Sequence, residues 1–190
     1  MRLLLLGAAG CVLLFAIVAI VIYFWLEARP SLQKFESAET GVSLQYDADL
    51  TDTTLTKQDK ADKVILKLQN HASEPGLLVS VRHEDGLRPI STITKQDLQT
   101  ALLSNVSKTY PERFPEYRQL STRNFDVNGK KASEVVFTYQ NQGETIKQRF
   151  VFVIKNDDMA VYLSAQAKEN DFASLNKKYF DPIFNSLQIE

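Results

Sequence analysis

FDVNGKKASEVVFTYQNQGETIKQRFVFVIKNDDMAVYLSAQA, residues 125–167, decides the fold. Asn128-Gly129 is a short-range hairpin signal, because both central positions accept a positive φ. Residues 133–140 and 145–154 are rich in β-branched and aromatic side chains and flank Asn141-Gln142-Gly143. Asn156-Asp157-Asp158 makes a further turn before residues 159–167. With the segment after Tyr117 this gives four strands joined by short connections. Short connections make neighbouring strands antiparallel.

Upstream, the hydrophobic period identifies more elements. Val42, Leu44 and Tyr46 alternate with Ser43 and Gln45, the period of a half-buried strand. Residues 47–63 are polar and read as a surface loop. Val64, Leu66 and Leu68, then Leu77, Val79 and Val81, alternate on either side of a Pro75-Gly76 turn and predict a hairpin. The period then changes. Leu98, Leu102, Val106 and Tyr110 recur every fourth residue, an amphipathic helix of about four turns. Thr94 is its expected cap and Pro111 its expected end. At the C-terminus Phe172, Leu175 and Tyr179 share a helical face, with Asp171 as cap. Pro182 is expected to interrupt that helix near Asp181, with Asp181 capping a second turn that has the proline at its first position, and Ile183, Phe184 and Leu187 as apolar anchors. Strands and helices segregated in this way predict an α+β domain.

This order of elements resembles the PsbP-like family. The stretches that carry the resemblance are FESAETGVSLQYDADL (residues 35–50), the two late hairpins of residues 125–167, and the closing FDPIFNSLQIE (residues 180–190), where Ser186-Leu187 matches a serine followed by an apolar residue. The resemblance implies an α/β/α sandwich around an antiparallel sheet. It also implies a domain that binds or helps assemble larger protein complexes, often on the outer side of a membrane, with no common catalytic site. The photosynthetic member associates with a photosystem and helps retain its inorganic ions. No functional residue carries over.

Residues 3–26 form an uncharged run. At about 1.5 Å per residue it reaches roughly 36 Å, against about 30 Å of hydrocarbon. Tyr23 and Trp25 fall at one end, where amphipathic rings favour the headgroups. Ala8-Ala9-Gly10-Cys11 approximates a lipid-attachment box, but it sits inside the run, and cleavage there would leave most of the span in place. An uncleaved anchor is the expectation, with Cys11 facing lipid or another helix. Arg2 and the terminal amine flank one end, while Glu27, Arg29, Lys34 and Glu36 cancel at the other. The resulting orientation has the N-terminus in the cytoplasm and the C-terminal domain outside. The expected organisation is a transmembrane anchor over residues 1–26, a linker over 27–34 and an extracytoplasmic PsbP-like domain over 35–190.

Of the 22 basic and 23 acidic side chains, all but Arg2 lie from Glu27 onward, with both signs interspersed. That distribution excludes a broad nucleic-acid surface. The single cysteine lies in the anchor, so no disulfide holds the outer domain. His71 and His83 sit at opposite ends of the first hairpin, roughly 20 Å apart at about 3.3 Å per residue, too far for one ion. The acidic turns at Asp47, Asp49 and Asp52, at His83-Glu84-Asp85 and at Asp157-Asp158 lack the loop spacing of a calcium site. No Gly-x-Ser-x-Gly elbow or phosphate-cradling glycine loop is present. No catalytic residue, metal ligand or cofactor is assigned. Arg113, Phe114 and Tyr117 stand in a proline-bounded segment, and Arg and aromatic side chains are favoured at contact hot spots. They are the candidate partner contacts, the bland alternative being that Phe114 tucks back onto the helix. The expected function is a non-catalytic, membrane-anchored binding or assembly domain engaging a protein complex of the cell envelope. The alternative is a domain binding a small molecule or a divalent cation.

Overall fold

The four strands expected after Tyr117 form the larger part of one sheet. In the computed structural model, which describes residues 31–70, 77–94 and 97–190, they are β6 (Arg118–Val127), β7 (Lys130–Asn141), β8 (Glu144–Asn156) and β9 (Met159–Lys168). Asn128 and Gly129 turn the first hairpin with φ of 51° and 77°, and Gln142 and Gly143 turn the second with 52° and 82°. Two successive positive φ values match the right-handed twist of the flanking strands. Upstream lie β1 (Leu32–Ser37), β2 (Val42–Asp47), β3 (Thr51–Asp52), β4 (Val64–Gln69) and β5 (Leu78–Glu84). β4 and β5 pair antiparallel, with Leu68 opposite Val79, and β5 then pairs antiparallel with β9. The large sheet has seven strands in the order β3-β4-β5-β9-β8-β7-β6. A second sheet of three strands has the order β1-β2-β10, where β10 is Gln188–Ile189.

Alternation along the strands gives the large sheet two apolar faces. Phe137, Phe150, Phe152 and Tyr162 point to one face, where they meet Leu98, Leu102 and Val106. These belong to the long helix, which comes after two shorter ones: α1 (Lys57–Ala61), α2 (Arg88–Thr94) and α3 (Leu98–Arg113). Val79, Val81, Val151, Val153 and Leu163 point to the other face. There they pack with Val42 and Leu44 of β2, and with Phe172, Phe180 and Ile183 of a C-terminal helical run. That run is α4 (Glu169–Leu175), a π-helical turn (Asn176–Phe180) and α5 (Asp181–Asn185). The result is an antiparallel sheet with helix on both faces.

Several expectations are corrected. Residues 47–63 are not all loop: β3 pairs with β4, and Thr56 caps α1 through a reciprocal box with Asp59. β1 begins at Leu32, inside the segment read as a linker. Its side chains are mostly exposed and show no apolar alternation, and β10 is only two residues long, so neither carries a periodic signal. Asp97 caps α3, accepting a hydrogen bond from Thr100 N, while Thr94 belongs to the preceding helix α2. α3 does not stop at Pro111 but runs to Arg113, and Phe114 N–H donates to Tyr110 O at 2.9 Å. Burial of Tyr110 and Phe114 in one aromatic cluster holds that last turn despite the missing N–H. Asp171 lies in the first turn of α4 rather than capping it. Pro182 does stand in the first turn of a second helix, α5, as expected, where an N–H is dispensable; Asp181 is not its cap, because the chain enters α5 from the π turn without leaving helical backbone.

The expected span, Cys11 and His71 lie outside the described residues. Among the described residues no helix is long and apolar enough to cross a membrane.

Candidate functional site

On the α3 face, the sheet is wider than the helical layer of α2 and α3 that covers it. α3 lies over β7 and β8, and beyond its C-terminal end a cavity of about 250 Å³ opens above β4, β5, β9 and β8. Its floor is polar. Ser80 on β5 and Ser164 on β9 face each other across the ladder, with their hydroxyl oxygens 3.0 Å apart. Gln148 on β8 joins them, only 7% exposed, and its Oε1 is buried without a hydrogen-bond partner. Buried polar atoms are nearly always paired, so this acceptor is an exception that asks for a reason.

The walls are aromatic. Tyr110 stacks edge-on to Phe114 and Phe137 at centroid distances of 5.2 and 5.4 Å, and Phe114 reaches Tyr139 at 4.8 Å. Tyr162 closes the opposite side, stacked on Phe150 at 5.7 Å. Burial pushes the Tyr110 hydroxyl up to about 12. Burial, and then the neighbouring Glu84 carboxylate, raise Tyr162 as well, so both phenols stay protonated at neutral pH and remain hydrogen-bond donors. The rim carries charge. Arg82 lies 4.1 Å over the Tyr162 ring, Arg113 is exposed at the end of α3, and Asp62 stands across from them.

Arg113, Phe114 and Tyr117 therefore occupy different environments. Arg113 lines the cavity mouth. Phe114 and Tyr117 turn inward: both are half-buried, and Tyr117 packs on Phe137 at 5.1 Å. The segment is not an aromatic patch open to solvent, because the ring-rich face of β7 draws both rings in. The sequence alone does not single out the serines, Gln148, Arg82 or Tyr162. A signal for Gln148 exists, since it shares a strand face with Phe150 and Phe152 and so puts an amide in an apolar phase.

Three acids of the expected turns have partners of their own. Asp49 accepts from Lys178 at 3.1 Å, Asp85 pairs with Lys63, and Asp158 accepts from the Arg88 backbone N–H at 3.0 Å. The Lys178 ammonium donates to the Tyr179 hydroxyl oxygen at 2.7 Å and to Asp49, and these two bonds raise its pKa above the ordinary value. Two acids from distant segments, Glu134 and Asp181, do converge, but both ion-pair with the buried Arg149 on the other face of the sheet. They hold an arginine and do not form an acid–base pair. Among the described residues no three His, Cys, Asp or Glu side chains are placed to hold a metal ion.

No family model matches the chain, and no curated protein matches it. Solved structures do. Cyanobacterial PsbP (CyanoP) from Synechocystis sp. PCC 6803 superposes with a TM-score of 0.65 at 11% identity, over 86% of this chain and 95% of that one. LpqN, involved in cell envelope biogenesis of Mycobacterium tuberculosis, superposes with 0.54 at 12% identity, over 86% and 92%. The Saccharomyces cerevisiae Ran-binding protein Mog1p gives 0.52 at 7% identity, over 85% and 96%. Likeness at such identities reports the backbone and not the site. The described chain has the PsbP-like fold.

Proposed function

We propose that this chain is a non-catalytic binding or assembly domain, held at the outer face of a cell membrane by its N-terminal apolar run and engaging a protein complex of the envelope. The observation that carries the reading is the fold shared over 86% of the chain with LpqN, a protein described as acting in cell envelope biogenesis. The uncharged residues 3–26 support the anchor, and the Arg2 flank supports the orientation. The surface supports a partner. β6 is an edge strand of the large sheet, and most of its side chains are exposed, Leu120 among them. An open strand edge offers unpaired backbone groups to a second chain. Arg113 lies just upstream of that edge.

In-cell crosslinking of the tagged full-length chain, followed by mass spectrometry, tests this. Repeated recovery of one or two envelope proteins crosslinked at residues 113–127 is the expected result. A well-expressed, membrane-bound chain that crosslinks to nothing there would refute it. A second reading, a domain that binds a small molecule, is favoured by the cavity beside α3 and its unpaired Gln148 acceptor.

A further inference from the structure

The geometry points to a specific occupant of the cavity beside α3: a small planar or aromatic carboxylate that also carries an N–H or O–H donor. This deepens the small-molecule reading and rests on it. Three features of the cavity define the class.

The first is volume. An apolar cavity of about 150 Å³ accepts benzene, so about 250 Å³ accepts roughly ten non-hydrogen atoms. The second is the wall. Tyr110, Phe114, Phe150 and Tyr162 enclose the space with ring faces and edges, which suits a flat ligand body. The third is the pattern of charge and hydrogen bonding. Arg82 and Arg113 stand at the mouth with Asp62; Arg82 also pairs with Glu84 at 3.8 Å, which leaves Arg113 as the principal guanidinium for a carboxylate, recognised by paired hydrogen bonds. At the floor Gln148 carries an unpaired Oε1 that can accept a hydrogen bond and cannot donate one; the atom is fully buried, so a ligand donor meets it when the amide turns toward the cavity. Leaving that acceptor buried and unpaired costs folding free energy, and a ligand donor removes the cost. The anion belongs at the mouth and the donor at the floor.

The probe is 4-hydroxybenzoate, with ten non-hydrogen atoms, a carboxylate at one end and a hydroxyl at the other. Benzoate lacks the donor, phenol lacks the anion, and phenethylamine reverses the charge. Each is titrated calorimetrically into the full-length chain in detergent micelles, with melting followed in parallel. Expected is a Kd on the order of 0.1 mM for 4-hydroxybenzoate, in the range about ten atoms reach at ordinary ligand efficiency. Benzoate and phenol are expected to bind at least about tenfold more weakly. Arg113→Gln, at an exposed site, weakens 4-hydroxybenzoate about tenfold and leaves melting unchanged. Gln148→Leu weakens it to a similar degree while raising the melting temperature of the free protein, an opposition that a merely structural glutamine would not produce.

If phenol or phenethylamine binds as tightly as 4-hydroxybenzoate, the carboxylate class is wrong and the small-molecule reading survives. If nothing in the panel binds at millimolar concentration, both fall. Binding that neither variant weakens places the ligand elsewhere and also overturns the assignment. The partner-binding reading is untouched by all of these outcomes, because crosslinking reads it separately.

Discussion

Asp59 shows how much a single side chain near the surface can be shifted by local geometry. Its Oδ2 accepts from the Thr56 hydroxyl at 2.7 Å and from the Thr56 backbone N–H at 2.9 Å, and Lys67 reaches it from β4. These bonds favour the carboxylate and hold its pKa at about 2, with the Thr56 bonds the largest cause. An ordinary aspartate titrates near 3.9. The folded value is depressed, so the stabilisation is complete above about pH 4 and is lost as pH falls toward 2. An NMR titration of Asp59 should give a midpoint of about 2, and Thr56→Val should move it upward. A midpoint indifferent to Thr56 would mean that Lys67 alone sets the value. At the same scale, Gln148 has the opposite character, a buried acceptor with nothing to accept.

Among the elements, α3 is the one that builds the site, since its last turn walls the cavity and delivers Arg113 to the mouth. Its period of four is plain in the sequence, and the buried positions Leu98, Leu102 and Val106 obey it. Its ends are not plain. Local chemistry offers Thr94 as the cap and Pro111 as the stop. Asp97 takes the first role because it stands directly before Leu98, the first residue of α3, whereas Thr94 belongs to α2. Aromatic packing overrides the second, since Tyr110 and Phe114 gain more by burial than the turn loses at the proline. Asp97→Ala should therefore destabilise the protein by about 1 kcal/mol in chemical denaturation. Asp97 is held below the ordinary carboxylate range by its bonds to Thr100, so the cap should also weaken in acid. A loss within a few tenths of zero would show that α3 is held by tertiary packing alone.

At the scale of the whole molecule, Arg149 joins the sheet to the C-terminal helical run. It projects from β8 and pairs with Glu134 on β7 and Asp181 at the head of α5. Its guanidinium also lies 4.8 Å from the Phe180 ring and 5.2 Å from that of Phe184. Glu134 is backed by the more exposed Arg123 on β6. Deleting the central cation leaves a buried carboxylate with only one exposed partner. Arg149→Met should cost about 3 kcal/mol, at the lower end of the range for a broken buried pair. The double variant Arg149→Met with Glu134→Leu should recover most of that loss, since apolar replacement of a whole buried pair is often neutral. Equal destabilisation in single and double variants would assign the loss to ring packing and not to charge.

The sequence by itself determined the strand hairpins, the long helix and the antiparallel order of β6 to β9. Each of these is written in a local period or in a turn that needs positive φ at Asn128, Gly129 and Gly143. It also determined the uncharged N-terminal run and the absence of any cysteine beyond it. The tertiary structure alone decided the features that have no local period. β10 exists because β2 offers it an edge, and Glu134 and Asp181 meet because Arg149 lies between them. The cavity, likewise, is made of residues from β5, α3, β8 and β9 that lie far apart along the chain. It exists because a seven-stranded sheet is wider than the helical layer that α2 and α3 lay on this face, and only the folded chain fixes which strands are left uncovered.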